Sequence, residues 1–284
     1  MAEPEFMKVP GDGVQIQVAC SKGEGADVVC VHGLTANCRC WDRIAQALAP
    51  GHQVWAIDLR GRGFSDKPET GYSLEHHCRV IEAVMRGLGI ERAAVMGHSL
   101  GAAIAAFFAA TRPELTTKAV LVDGAGQLAK EQTEKVLASI KMSLERLGKV
   151  FPDYQNYVEN LKKAPFFSAW NEYLDAYFRY ETEAVDGGVR SRVYPEAIQK
   201  EIENLKELRI GEYYGRIACP VLILRATEGI LAPDDLLLPE DAAARMEKEI
   251  RHATRVDIAG SNHYTLLFDA FDSRDKAIKD FLAA

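Results

Sequence analysis

Residues 14–19 alternate apolar and polar side chains, the period of a half-buried strand, and Gly23 and Gly25 mark a turn before the continuous apolar run of 27–31. A run without alternation is a strand buried on both faces. Trp41, Ile44, Ala45 and Leu48 then recur at helical spacing and stop at Pro50-Gly51, after which 53–57 forms a second buried run. Ser73 reads as the N-cap of a helix carrying Val80, Ile81, Val84 and Leu88, closed by Gly89. A buried strand at 93–96 leads into an alanine-rich helical run at 102–110, and another strand follows at 117–122. Strands separated by helices predict right-handed βαβ units, hence a mostly parallel sheet with helices on both faces.

From about 127 to 215 the pattern changes. No buried strand is visible, aromatic residues are dense, and Pro152, Pro165, Pro195 and Gly187-Gly188 divide the stretch into short helices. The strand pattern resumes at 220–224, followed by a helix over 240–250, a strand over 254–258, and a last amphipathic helix with Ala277, Ile278, Phe281 and Leu282. The expected organisation is therefore a core of residues 1–126 and 216–284, with a helical lid of 127–215 inserted between two strands.

Composition narrows the setting. The chain has 284 residues, 48% hydrophobic and 26% charged, enough to bury a large core. A net charge of -7 without any concentrated basic run argues against nucleic acid as a partner. The acidic start Met1-Ala2-Glu3-Pro4-Glu5 does not read as a signal peptide, and the longest apolar stretch, 100–110, is too short to cross a bilayer, so a cytoplasmic protein with no membrane partner is expected. The six cysteines are too scattered for a disulfide scaffold and suggest a reducing compartment. Cys38-Arg39-Cys40 and His76-His77-Cys78 match no usual zinc spacing, so no metal site is read there.

The strongest chemical signal is Gly97-His98-Ser99-Leu100-Gly101, which stands between a strand and a helix. A serine lifted above a sheet on so tight a turn crowds the backbone, and only small residues fit two places before and after it. Its hydroxyl needs a base, and the base needs an acid that fixes its tautomer. His263, in Gly260-Ser261-Asn262-His263 after the last strand, is the best base, being downstream of the serine. His32 and His98 compete but are tied to glycine turns; His52, His76, His77 and His252 read as solvated helix-end or loop residues.

With these motifs assembled, the chain resembles the α/β-hydrolase fold family over nearly its whole length. The likeness rests on His32-Gly33 after the first buried strand, on Asp58-Leu59-Arg60-Gly61-Arg62-Gly63-Phe64-Ser65, on the Gly97–Gly101 elbow and on the terminal Gly260–His263 stretch. The resemblance implies an oxyanion hole made by the backbone N–H groups of Leu34 and Leu100, and a lid inserted after strand six. Most family members carry the acid in the loop after the strand at 221–224, where this chain has Gly229, with Glu228 beside it. Asp123, at the end of 117–122, is the other candidate. His32–Asn37, Ser65–Tyr72 and Val185–Arg190 are similar to the branch that includes 2-(acetamidomethylene)succinate hydrolase, which also lacks the usual aspartate. That likeness favours Asp123 over Glu228.

The resulting expectation is a carboxylesterase-like serine hydrolase (EC 3.1.1) acting on a small-molecule substrate without a cofactor. Amide or carbon–carbon hydrolysis uses the same constellation, and a non-catalytic small-molecule receptor is the reading from another class. Arg190 and Arg192 offer a way to hold a substrate carboxylate.

Overall fold

A computed structural model describes residues 3–284. Eight strands form one sheet in the order β1-β2-β4-β3-β5-β6-β9-β10. β1 (Glu5–Pro10), β2 (Gln15–Ser21) and β4 (Gln53–Ile57) pair antiparallel. β3 (Asp27–Val31), β5 (Ala93–His98), β6 (Thr116–Val122), β9 (Val221–Ala226) and β10 (Ala253–Ile258) continue from β4 in parallel. The edge strand β1 was not anticipated from the sequence. Most of its side chains are solvent-facing, so its hydropathy does not mark it.

Alternate side chains of the central strands point to opposite faces and found two apolar clusters. Val29, Val31 and Ile57 pack with Val80, Ile81 and Val84 of α2 (Leu74–Leu88), Ile104 and Phe108 of α3 (Leu100–Thr111), and Ala243 and Met246 of α9 (Glu240–Glu249). On the other face Val28, Cys30 and Val54 meet Trp41, Ile44 and Leu48 at α1 (Asp42–Leu48), and Ile278 of α11 (Asp272–Ala283). α3 is buried on nearly all sides, which its run of alanines permits because small side chains let strands and helices close in around it.

Between β6 and β9 lie α4 (Lys130–Ser139), α5 (Lys141–Glu145), α6 (Tyr154–Lys162), α7 (Glu172–Glu181) and α8 (Pro195–Glu207). They are not the whole of it: β7 (Thr182–Val185) and β8 (Gly188–Ser191) form a hairpin. The expectation of helices alone is corrected here. Asp186-Gly187 is its two-residue turn, and Asp-Gly is a strong hairpin signal that the polar surroundings of this stretch obscured. Tyr157, Leu161, Leu174, Tyr177 and Phe178 of α6 and α7 join the same cluster as Trp41, so the inserted segment shares a core with the sheet. α10 (Thr265–Phe268) follows β10 and ends the loop that carries His263. Among the described residues no helix is long and apolar enough to cross a membrane.

Candidate active site

The turn after β5 puts Ser99 at φ 57°, ψ −120°, a backbone conformation that costs a non-glycine residue about 1–3 kcal/mol. The Ser99 N–H donates to the Val122 carbonyl (3.0 Å), and its own carbonyl accepts from Ala102 N (3.0 Å). A Cβ at position 97 would collide with the Gly101 carbonyl, and one at 101 with the Val31 carbonyl. That is the physical content of the motif's two glycines. Leu100, at the first position of α3, has an N–H with no carbonyl to pair with inside the helix.

The turn after β3 runs past the same serine, since a Cβ built on Gly33 would stand 3.1 Å from the Ser99 Cβ. The orientation of its Gly33–Leu34 peptide is fixed by His32. The Leu59 N–H donates to His32 Nε2 (2.9 Å), so Nδ1 carries the proton and donates to the Gly33 carbonyl (2.7 Å). Burial holds this imidazole neutral, its pKa pushed down to about 3. In a trans peptide C=O and N–H point in opposite directions, so gripping the Gly33 carbonyl aims the Leu34 N–H the other way.

Asp123 and His263 come together from loops after β6 and β10. His263 Nδ1 donates to Asp123 Oδ2 at 2.7 Å, with Asp123 1% and His263 5% exposed. Asp123 also sits at positive φ (44°), and its other oxygen accepts from Ala226 N (3.1 Å). Every neighbour of His263 is pinned. Ser261 O accepts from the N–H groups of Thr227 and Glu228, and Asn262 Oδ1 caps Tyr264 N and Thr265 N while its Nδ2 donates to Phe166 O (3.0 Å). His98, beside the serine, donates through Nε2 to the His263 carbonyl (3.0 Å) and packs its ring 4.2 Å from the His263 ring. Burial keeps His98 neutral.

Glu228 is exposed, and no hydrogen bond or ion pair of its carboxylate occurs among the described residues. The reason Gly229 occupies the usual acid position is steric. The loop winds about the buried Asp235 carboxylate, which accepts from Ile230, Leu231 and Ala232 N–H, and a Cβ at 229 would run into the Ala232 carbonyl and Asp235. Arg190 and Arg192 both pair with Glu183 across the hairpin, and Arg192 lies over the Phe64 ring. His77, expected to be solvated, is fully buried, with its Nε2 on Glu201. No cluster of three or more potential metal ligands exists among the described residues.

Sequence reasoning missed the buried charges around this site. Arg62 donates to the Leu34 carbonyl through Nε (3.0 Å) and Nη2 (2.9 Å) and pairs with Glu201 of α8. Arg146 and Glu181 form a second buried pair, with the Tyr157 hydroxyl and Ser191 on the carboxylate. Arg62 lay inside a recognised motif, whereas Glu201 is one acid among many in an amphipathic helix, with nothing local to single it out.

A profile of the family described as alpha/beta hydrolase fold matches residues 28–270. The 2-(acetamidomethylene)succinate hydrolase of Mesorhizobium japonicum is 27% identical over 86% of this chain and 83% of its own length. The protein named putative carbamate hydrolase RutD of Klebsiella pneumoniae is 28% identical over 95% of this chain and 97% of its own. Among solved structures, that of E-2-(acetamidomethylene)succinate hydrolase superposes with a TM-score of 0.87 at 26% identity, covering 99% of this chain and 100% of that one.

Proposed function

The chain belongs to the α/β-hydrolase fold family, and from that premise we propose that this hydrolase cleaves a small-molecule carboxylic ester through a Ser99–His263–Asp123 triad and an acyl-enzyme. The observation that carries the reading is the buried 2.7 Å bond from His263 Nδ1 to Asp123. With Nδ1 protonated and oriented by the carboxylate, Nε2 presents the lone pair that takes the Ser99 proton as Oγ attacks the carbonyl carbon. The tetrahedral oxyanion is stabilised by the N–H groups of Leu34 and Leu100, the first aimed by His32 and the second at the start of α3. Imidazolium Nε2–H then protonates the leaving alcohol, and water, activated by the same histidine, releases the acid and restores Ser99. Apart from that water, no step needs a group from outside the chain and its substrate. Residues 127–215 act in this reading as the lid over the serine, a role supported by Asn262, whose side chain joins the histidine loop to Phe166 of that segment. A reducing, cytoplasmic setting is part of the proposal, supported by six buried cysteines without disulfide partners.

A second reading, hydrolysis of an amide or carbamate, is supported by what the two relatives are named for. The triad serves both, and the leaving group decides. A phosphonate probe should label the wild type and not Ser99→Ala, with multiple turnover of a short p-nitrophenyl ester abolished in the variant. A folded wild type showing neither labelling nor turnover points to the receptor reading instead. Matched esters and amides of one acyl group then separate the two hydrolytic readings by kcat/KM.

A further inference from the structure

The helix α8 comes from the inserted segment, yet it lies across the loop that follows β4. At its start the Tyr194 N–H donates to the Gly61 carbonyl (2.9 Å), and near its end Asn204 Nδ2 donates to the Tyr72 carbonyl (3.0 Å). Between these ties Glu201 enters the interior at 2% exposure and meets two fully buried partners, the guanidinium of Arg62 and Nε2 of His77 on α2. Arg62 in turn spends its remaining donors on backbone. Nη1 takes the Arg60 carbonyl (2.8 Å), while Nε and Nη2 both take the Leu34 carbonyl. A guanidinium in such a place is held there by a carboxylate, because a buried charge without its counter-charge is strongly unfavourable. The carboxylate opposite Arg62 belongs to α8.

We propose that Glu201 and Arg62 are positioning residues for the oxyanion hole, so that the Leu34 turn holds its productive geometry only while α8 of the inserted segment is seated. The inference rests on the serine-hydrolase reading and extends it. His32 fixes the peptide in front of Leu34 and Arg62 fixes the one behind it, so the N–H of Leu34 is clamped from both sides. Removing the second clamp leaves the serine, the histidine and the acid in place. It loosens the donor that matters in the tetrahedral intermediate and not in the Michaelis complex.

The test compares Glu201→Gln, Arg62→Lys and Asn204→Ala with the wild type on a p-nitrophenyl ester. A trifluoromethyl ketone that forms a hemiketal oxyanion on Ser99, and the matching methyl ketone, serve as inhibitors. The first two variants should lose about tenfold to a hundredfold in kcat, the cost of a small misplacement at the reacting centre, with KM little changed. Their affinity for the trifluoromethyl ketone should fall in step, while that for the methyl ketone holds. Asn204→Ala, which removes one hydrogen bond to the loop but leaves the Glu201–Arg62 pair and with it the seating of α8 on the Leu34 turn, should keep the wild-type ratio of the two ketones. Should Glu201→Gln fail to fold because Arg62 is left unpaired, the double variant Arg62→Gln/Glu201→Gln removes both charges together and must show the same selective loss. An unchanged ketone ratio in the charge variants, or an equal loss in Asn204→Ala, overturns the proposal. If the wild type itself does not discriminate between the ketones, or Ser99→Ala retains turnover, the serine-hydrolase reading fails and takes this inference with it.

Discussion

Asp123 illustrates how one residue is fixed by its surroundings. Its positive φ turns the carboxylate so that one oxygen meets His263 and the other the Ala226 N–H. Asp123→Asn keeps the volume and an acceptor, and it should lower kcat by roughly 10⁴-fold, as loss of a triad acid does, with an unchanged unfolding transition. Glu228→Gln should retain activity, since that carboxylate stands exposed and the His263 Nδ1 bond goes to Asp123 instead. Returning an aspartate to the usual loop should not rescue the loss. In Asp123→Asn/Gly229→Asp the new side chain meets the Ala232 carbonyl and Asp235, so assays should find no recovery and thermal unfolding a lower Tm. The sequence showed both that Gly229 stands where an acid is usual and that Asp123 was available. The winding of the loop around Asp235, which excludes any side chain at 229, became visible only in three dimensions.

At the scale of elements, the inserted segment is held together by contacts of its own. Phe151 forms an isolated bridge with Val189 beside the β7–β8 hairpin, and Gly188 at φ 143° packs directly under the Phe151 carbonyl. Gly188→Ala should therefore destabilise this segment by about 2–4 kcal/mol, from backbone strain and steric collision together. Hydrogen exchange checks it: amides of 127–215 should exchange faster, while those of β3, β5 and β6 stay protected. Core elements were legible because a buried parallel strand is a continuous apolar run and α3 is apolar all round. The hairpin and β1 were not, since β1 is largely exposed, the hairpin is mostly half-buried, and each takes its pairing from a neighbour and not from its own hydropathy.

Across the whole molecule, His32, His77 and His98 are buried and held neutral, their pKa values lowered chiefly by burial, with Arg62 and Arg60 adding to the effect at His77. The unfolded chain takes up protons at these histidines near pH 6.5 while the folded chain does not. Their contribution is thus present above pH 6.5 and is lost as pH falls toward the lowered folded values. For His32 the cost is about 2 kcal/mol at pH 5, from about 1.4 kcal/mol per unit over about 1.5 units. Asp42 acts in the other direction: burial raises it to about 6 despite Arg39, so its protonation favours the folded state as pH falls below that value. With three buried histidines against Asp42 and Asp58, whose carboxyls are both raised by burial, urea unfolding should show lower stability at pH 5 than at pH 7.5. His77→Gln should flatten that slope if it folds as the wild type does.

The sequence by itself determined the parallel strands of the sheet, the serine turn, the candidate histidine at the chain's far end and the family, because each is written locally, as a run of apolar residues or as a short motif. Tertiary structure decided the rest. Asp123 faces His263 across 140 positions of chain, and Glu201 reaches Arg62 across 139. Pairings over such separations depend on which loops the fold brings together and which carbonyls leave room for a side chain. Hydropathy along the chain carries no record of that.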